Sequence, residues 1–218
     1  MDTHFEQLKA AGTAVIADVF DSMKLLPPVL DNALRPVGAD STFAGPAYTI
    51  TGESAQWVGG DRAKLAAIDA MPAGVVALWA SMDAKGVCCF GDLLASAMQA
   101  RGCAAAVVDG GVRDAAFLRH CGMPVVSRYL TPAQGIGRWR VTAAQTTVKV
   151  RGALAEWIEV SPGDILVGDA DGVIAIPARL LESVTEKVIL WSESETNART
   201  EIQNGLPLIT ALERYGHL

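Results

Sequence analysis

The sequence predicts an α/β fold in a single domain spanning residues 1–218, and three observations carry that reading. Up to about residue 130, helix-period stretches alternate with short apolar runs rich in β-branched residues, as buried strands linked by helices do. Beyond that point "QTTVKVRG" and "EWIEVSPGDILVGDADGVIAIP" alternate like strands and break at Ser-Pro-Gly-Asp and Asp-Gly turns. From Ala178 the pattern is helical again.

In chain order, "TAVIADVFDSM" places apolar residues at 15, 16, 19, 20 and 23, one face of a helix, with Thr13 as its N-cap. "FAGPAYTITG" is strand-like, and "RAKLAAIDAM" is a helix that Pro72 terminates. "GVVALWA" is a buried strand and "SMDAKGVCCFGD" a loop. "LLASAMQARG" is a helix ending on Gly102, a residue type suited to the left-handed position after a helix. "AAAVVDGGVRDAAF" begins as a buried strand, turns at Asp109-Gly110-Gly111 and opens a helix with Arg113-Asp114. "PVVSR" is a further short strand. Leu180, Val184 and Val188 form one stripe of a helical stretch that extends to Gly205, and "LPLITALERYG" closes the chain as another helix.

Composition narrows the function classes. Half of the residues are hydrophobic, enough for a large core, and the net charge of −6 with scattered Lys and Arg argues against a nucleic-acid partner. No apolar run approaches the roughly 18–20 residues of a membrane span, and the first residues do not read as a signal peptide, so a cytoplasmic protein is expected. The four cysteines include no C-x-x-C pair and read as reduced, buried small hydrophobes, with Cys121 at the edge of the charged segment. His4, His120 and His217 are too dispersed for a metal cluster.

No G-x-G-x-x-G, P-loop or G-x-S-x-G pattern is present. What remains is a pair of strand-to-helix corners, Gly91-Asp92 and Asp109-Gly110-Gly111 with Arg113-Asp114. Helix starts present free N–H groups and partial positive charge, and glycine lets a ligand approach the backbone. Arg113 offers a planar fork for a carboxylate, and Asp92 and Asp114 are hard oxygen ligands of the kind magnesium or manganese takes. Together they would hold a metal and a 2-oxo acid. The same residues also read as helix-start carboxylates favoured by the dipole, with Arg113 pairing to Asp109 or Asp92.

"GDLLASAMQARGCAAAVVDGGVRD", with "FAGPAYTITG" upstream and "VSPGDILVGDADGVIAIP" downstream, resembles the RraA-like family over roughly residues 10–215. That family includes 4-hydroxy-4-methyl-2-oxoglutarate / 4-carboxy-4-hydroxy-2-oxoadipate aldolases and regulators of ribonuclease activity. The resemblance implies a layered β/β/α, swivelling-domain fold with C-terminal helices and a homotrimer or dimer of trimers. Its Asp-x20-Arg-Asp motif is met by Asp92 and Arg113-Asp114.

The resemblance further implies a class II aldolase, dependent on Mg2+ or Mn2+, that cleaves a 4-hydroxy-2-oxo acid to pyruvate and a second oxo acid, with oxaloacetate decarboxylase side activity. Asp114 would ligate the metal and Asp92 would hold its waters. Arg113 would bind substrate and stabilise the enolate, and Gly91 with the backbone N–H groups of Leu93 and Leu94 would clamp the carboxylate. Glu53, Arg138, Glu195 and Glu201 are candidates to reach a neighbouring subunit's site. Phe117 stands where the aldolase pattern has a further acid, which leaves the distal part of the substrate open. Three alternatives stand beside this reading. One is a Schiff-base aldolase on Lys85 or Lys149, one a protein-binding regulator of ribonuclease activity, and one a related lyase acting on another hydroxy or oxo acid.

Overall fold

The computed structural model of the protein describes residues 3–39, 42–81 and 84–216. Its first part runs α1 (Thr3–Ser22), β1 (Arg35–Pro36), β2 (Phe43–Ser54), α2 (Arg62–Asp69), β3 (Val76–Ala80), β4 (Cys88–Phe90), α3 (Asp92–Ala100), β5 (Ala105–Val112), α4 (Ala115–Leu118) and β6 (Val125–Leu130). Then follow β7 (Trp139–Ala144), β8 (Val148–Arg151), β9 (Trp157–Val160), β10 (Ile165–Gly168), β11 (Val173–Ile176), α5 (Leu181–Gln203) and α6 (Leu208–Tyr215).

The main sheet has the order β1-β6-β5-β3-β2-β10-β11. Its centre, β2, β3, β5 and β6, is parallel throughout. Each step from one of these strands to the next moves in the same direction across the sheet. Right-handed crossovers therefore put α2, α3 and α4 on one face. There Ile68, Met98 and Leu118 pack with Trp79, Val108 and Trp139 in one core cluster. The β8–β9 hairpin covers the opposite face, where Val148, Val150 and Val160 meet Val76, Leu78 and Val107. Helices α1 and α5 close over β10 and β11 through Ile16, Val19, Val184 and Val188. Two strand layers and one helix layer result, with the C-terminal helices at one end.

Several local expectations change. Residues 3–22 are helical on both sides of Gly12, whose φ of 85° breaks the run. Thr13 does head the second piece, but it does not cap with its own oxygen. Its N–H and hydroxyl both donate to the Asp169 carboxylate, at 2.7 and 2.8 Å, so the cap comes from the β10–β11 turn. The stretch read as a loop before Asp92 contains β4, which pairs with β5; residues 82 and 83 of that stretch lie outside the described residues.

Asp109-Gly110-Gly111 is not a turn either, because β5 continues through it fully buried. The glycines serve close packing: a Cβ on Gly110 would stand 2.6 Å from Ser81 Oγ, and one on Gly111 would enter the Tyr129 ring. Asp109 is ion-paired with Arg128, whose Nη1 also donates to Asp31 at 2.8 Å. All four cysteines are free and buried, as expected, and no described helix is long and apolar enough to cross a membrane.

Candidate active site

Because β4 and β5 are parallel, their carboxyl ends deliver Gly91-Asp92 and Arg113-Asp114 to the same edge, where ligands bind in open α/β sheets. Asp114 adopts the left-handed conformation, φ 57° and ψ 41°, which aspartate tolerates better than most residues. The Asp92 N–H donates to Asp114 Oδ2 at 3.0 Å, and Arg113 Nε lies 3.4 Å from the same oxygen. Arg113 thus pairs with its neighbour, not with Asp109 or Asp92.

Gly91 makes this close arrangement possible. A Cβ there would meet Asp114 Oδ2 and Arg113 Cγ, the latter at 2.8 Å. Its extended backbone is open to any residue; only the space forbids a side chain. At the start of α3 the Leu93 N–H donates to Asp92 Oδ1 at 2.7 Å, so Asp92 itself occupies one arm of the expected carboxylate clamp. The Leu94 N–H has no hydrogen-bond partner among the described residues.

Asp114 borders a separate hollow of about 390 Å³ with Leu130 and Thr131, while Gly91, Asp92, Leu93, Leu94 and Arg113, the last shared by both, border a cavity of about 240 Å³. Two groups that the sequence reading did not single out complete it. One is the loop 134–136, which joins the cavity to an open cleft of about 930 Å³ bordered by residues 54–58 and Arg138. The other is Lys64, 5 % exposed, with Asp61 at the start of α2. Asp61 Oδ1 accepts the Lys64 N–H at 3.1 Å and Oδ2 the Val141 N–H at 2.9 Å. Lys64 Nζ donates to the Cys89 carbonyl at 2.8 Å and lies 5.2 Å from the Trp139 ring centre. Burial lowers its proton affinity, opposed by nearby Cys89 and Asp61. Lys64 was legible in principle, since it falls on the Lys64, Ala67, Ile68 stripe of α2 where an apolar residue belongs.

The other candidates lie apart. Phe117 is exposed on the single turn of α4 and does not border the cavity. Lys149 pairs with Glu159 at 3.3 Å and Lys85 is exposed, so neither has the desolvated setting a Schiff-base lysine requires. Glu53 pairs with Arg140, Glu195 with Arg199 and Glu201 with Arg214. Cys121 packs in the core, whereas Cys88 and Cys89 border the cavity. His120 is an exposed residue in the turn after α4, bonded to the Ala116 carbonyl, and His217 lies outside the described residues.

Asp92 and Asp114 carry hard oxygen donors of the kind a divalent cation such as magnesium takes, one or two carboxylates with its waters kept, and the Asp92 N–H ties the two residues together. No group of three or more His, Cys, Asp or Glu side chains able to hold a metal occurs among the described residues.

The profile of the RraA-like family, Aldolase/RraA, matches residues 13–175. The chain belongs to the RraA-like family. A family relative in Halalkalibacterium halodurans, provisionally named 4-hydroxy-4-methyl-2-oxoglutarate aldolase, is 30 % identical over 97 % of this chain and 94 % of its own length. Protein DlpA of Legionella pneumophila is 27 % identical over 99 % of this chain, which spans 34 % of that longer protein. The RraA-like fold recurs in a Pseudomonas syringae protein of uncharacterised function (TM-score 0.84, 22 % identity, 98 % of this chain and 94 % of that one). It recurs again in Streptomyces coelicolor RraAS2, described as an unusual member of the RNase ES inhibitor RraA family (TM-score 0.77, 21 % identity, 91 % of this chain and 97 % of that one).

Proposed function

We propose that the protein is a divalent-metal-dependent aldolase that cleaves a 4-hydroxy-2-oxo acid to pyruvate and a second oxo acid, and that decarboxylates oxaloacetate as a side reaction. The observation that carries the reading is the joining of Asp92, Arg113 and Asp114 around Gly91. The aldolase name of a full-length relative supports it. The metal, Mg2+ or Mn2+, would be held by Asp114, with Asp92 receiving its waters; when bound, it supplies Lewis-acid stabilisation of negative charge on the substrate's carbonyl oxygen.

The chain's own residues do the rest. Arg113 presents its guanidinium fork to the carboxylate or carbonyl oxygen of the oxo acid and stabilises the charge that develops there on bond cleavage. The Leu94 N–H at the start of α3 receives the substrate carboxylate. The Leu93 N–H would join it once Asp92, in holding the metal's waters, released that N–H. Oxaloacetate fits the same groups, because loss of CO2 leaves the same pyruvate enolate that aldol cleavage leaves. The group beyond the scissile bond would extend past the loop 134–136 into the open cleft. A cytoplasmic homotrimer or dimer of trimers accompanies this reading.

The test is a pyruvate-release assay on a panel of 4-hydroxy-2-oxo acids and oxaloacetate, with and without EDTA. Release that EDTA abolishes and Mg2+ or Mn2+ restores is the expected result. No release from any substrate, together with inhibition of a ribonuclease, would instead assign the protein to the regulators.

A further inference from the structure

The geometry points to Lys64 as a substrate-contacting residue whose buried ammonium donates to an anionic oxygen of the bound oxo acid. The inference rests on the oxo-acid reading above and adds a cation that the Asp92/Arg113/Asp114 motif does not contain. Lys64 occupies the inward stripe of α2 beside Ala67 and Ile68, where a charge is costly to bury unless it is paired. Its pairing is incomplete. An ammonium has three donors, and the Cys89 carbonyl takes one. The nearest carboxylate oxygen, Asp61 Oδ2, forms an ion pair at 3.8 Å, too long for a hydrogen bond. The Trp139 face contributes attraction but accepts no conventional hydrogen bond. Lys64 therefore keeps donor capacity in the wall of the cavity that also contains Arg113 and the start of α3.

This placement has a pH consequence. The groups facing Lys64 are Asp61 at the head of α2, Cys88 and Cys89 on β4, and Trp139 on β7. Burial pushes the Cys89 thiol up to about 12, so it stays protonated, and burial lowers the proton affinity of Lys64. The free protein loses the Lys64 charge below the ordinary lysine range, while a bound anion favours retaining it. Affinity for an anionic ligand should then fall as pH rises through the lowered value.

The test measures pyruvate and oxalate binding to the Mg2+-loaded protein by calorimetry across neutral to alkaline pH. Wild type should bind both and lose affinity on the alkaline side. Lys64→Met should bind about 10- to 100-fold more weakly at neutral pH, with that alkaline loss removed. Lys64→Arg should recover part of the affinity and carry it to higher pH, which a purely structural lysine would not do; it also serves as the test if Lys64→Met fails to fold. Unchanged affinity and an unchanged alkaline limb in a folded Lys64→Met would overturn this inference alone. Borohydride trapping of pyruvate on Lys64 would overturn it in favour of an imine. A folded wild type that binds neither probe would overturn the oxo-acid reading, and this inference with it.

Discussion

Replacing Gly91 by alanine should disable the site while sparing the fold. The new methyl would stand 2.8 Å from Arg113 Cγ and closer still to Asp114 Oδ2. Ordinary packing needs at least about 3.5 Å, so the Arg113 methylene must retreat by about 0.7 Å and the Asp114 oxygen by more. Both side chains have room to yield, being 40 % and 38 % exposed. Their retreat breaks the 3.0 Å bond from the Asp92 N–H to Asp114, a loss of about 1 kcal/mol or a fall in Tm of roughly 2–4 °C. Misplacing by about 1 Å the groups proposed to hold metal and substrate should cost on the order of 100-fold in rate. The assay is coupled pyruvate release at saturating Mg2+, with thermal unfolding measured on the same sample. Gly91→Ala with wild-type kcat/KM, or with Tm lowered by tens of degrees, would refute the reasoning.

Asp114→Ala should abolish metal-dependent pyruvate release and leave the circular dichroism spectrum unchanged; undiminished release in this variant would end the aldolase proposal. Arg113→Lys should recover little of the activity lost in Arg113→Ala even at saturating metal, because a point charge cannot reproduce the fork, as steady-state kinetics will read. Arg128→Met strands the wholly buried Asp109 and should cost about 3–5 kcal/mol in denaturant unfolding. Burial already holds Asp109 above the usual carboxylate range against the pull of Arg128, and removing that cation raises it further. Folded Asp109 would then keep a proton that the unfolded chain releases, so the variant's deficit should shrink as pH falls below neutral.

The sequence by itself determined the alternation of helices and strands, the β-rich second half and the two charged corners. These rest on local signals: apolar period, turn residues, and glycine beside a charge. Asp92, Arg113 and Asp114 stood out as charges at two glycine-opened corners, and the resemblance to the RraA-like family is what joined them as one motif. Tertiary structure decided what depends on partners distant in sequence. Thr13 could not announce that its N–H is satisfied by Asp169, 156 residues away. Asp109-Gly110-Gly111 reads as a turn, yet the closeness of Ser81 and Tyr129, not a reversal of the chain, requires those glycines. β4 was hidden because three buried residues are too few to display a period, and pairing with β5 is what makes them a strand. Lys64 is the clearest case. Its sequence signal is one cation on an apolar stripe, and only the approach of β4 and β7 to α2 turns it into a buried ammonium in the cavity wall.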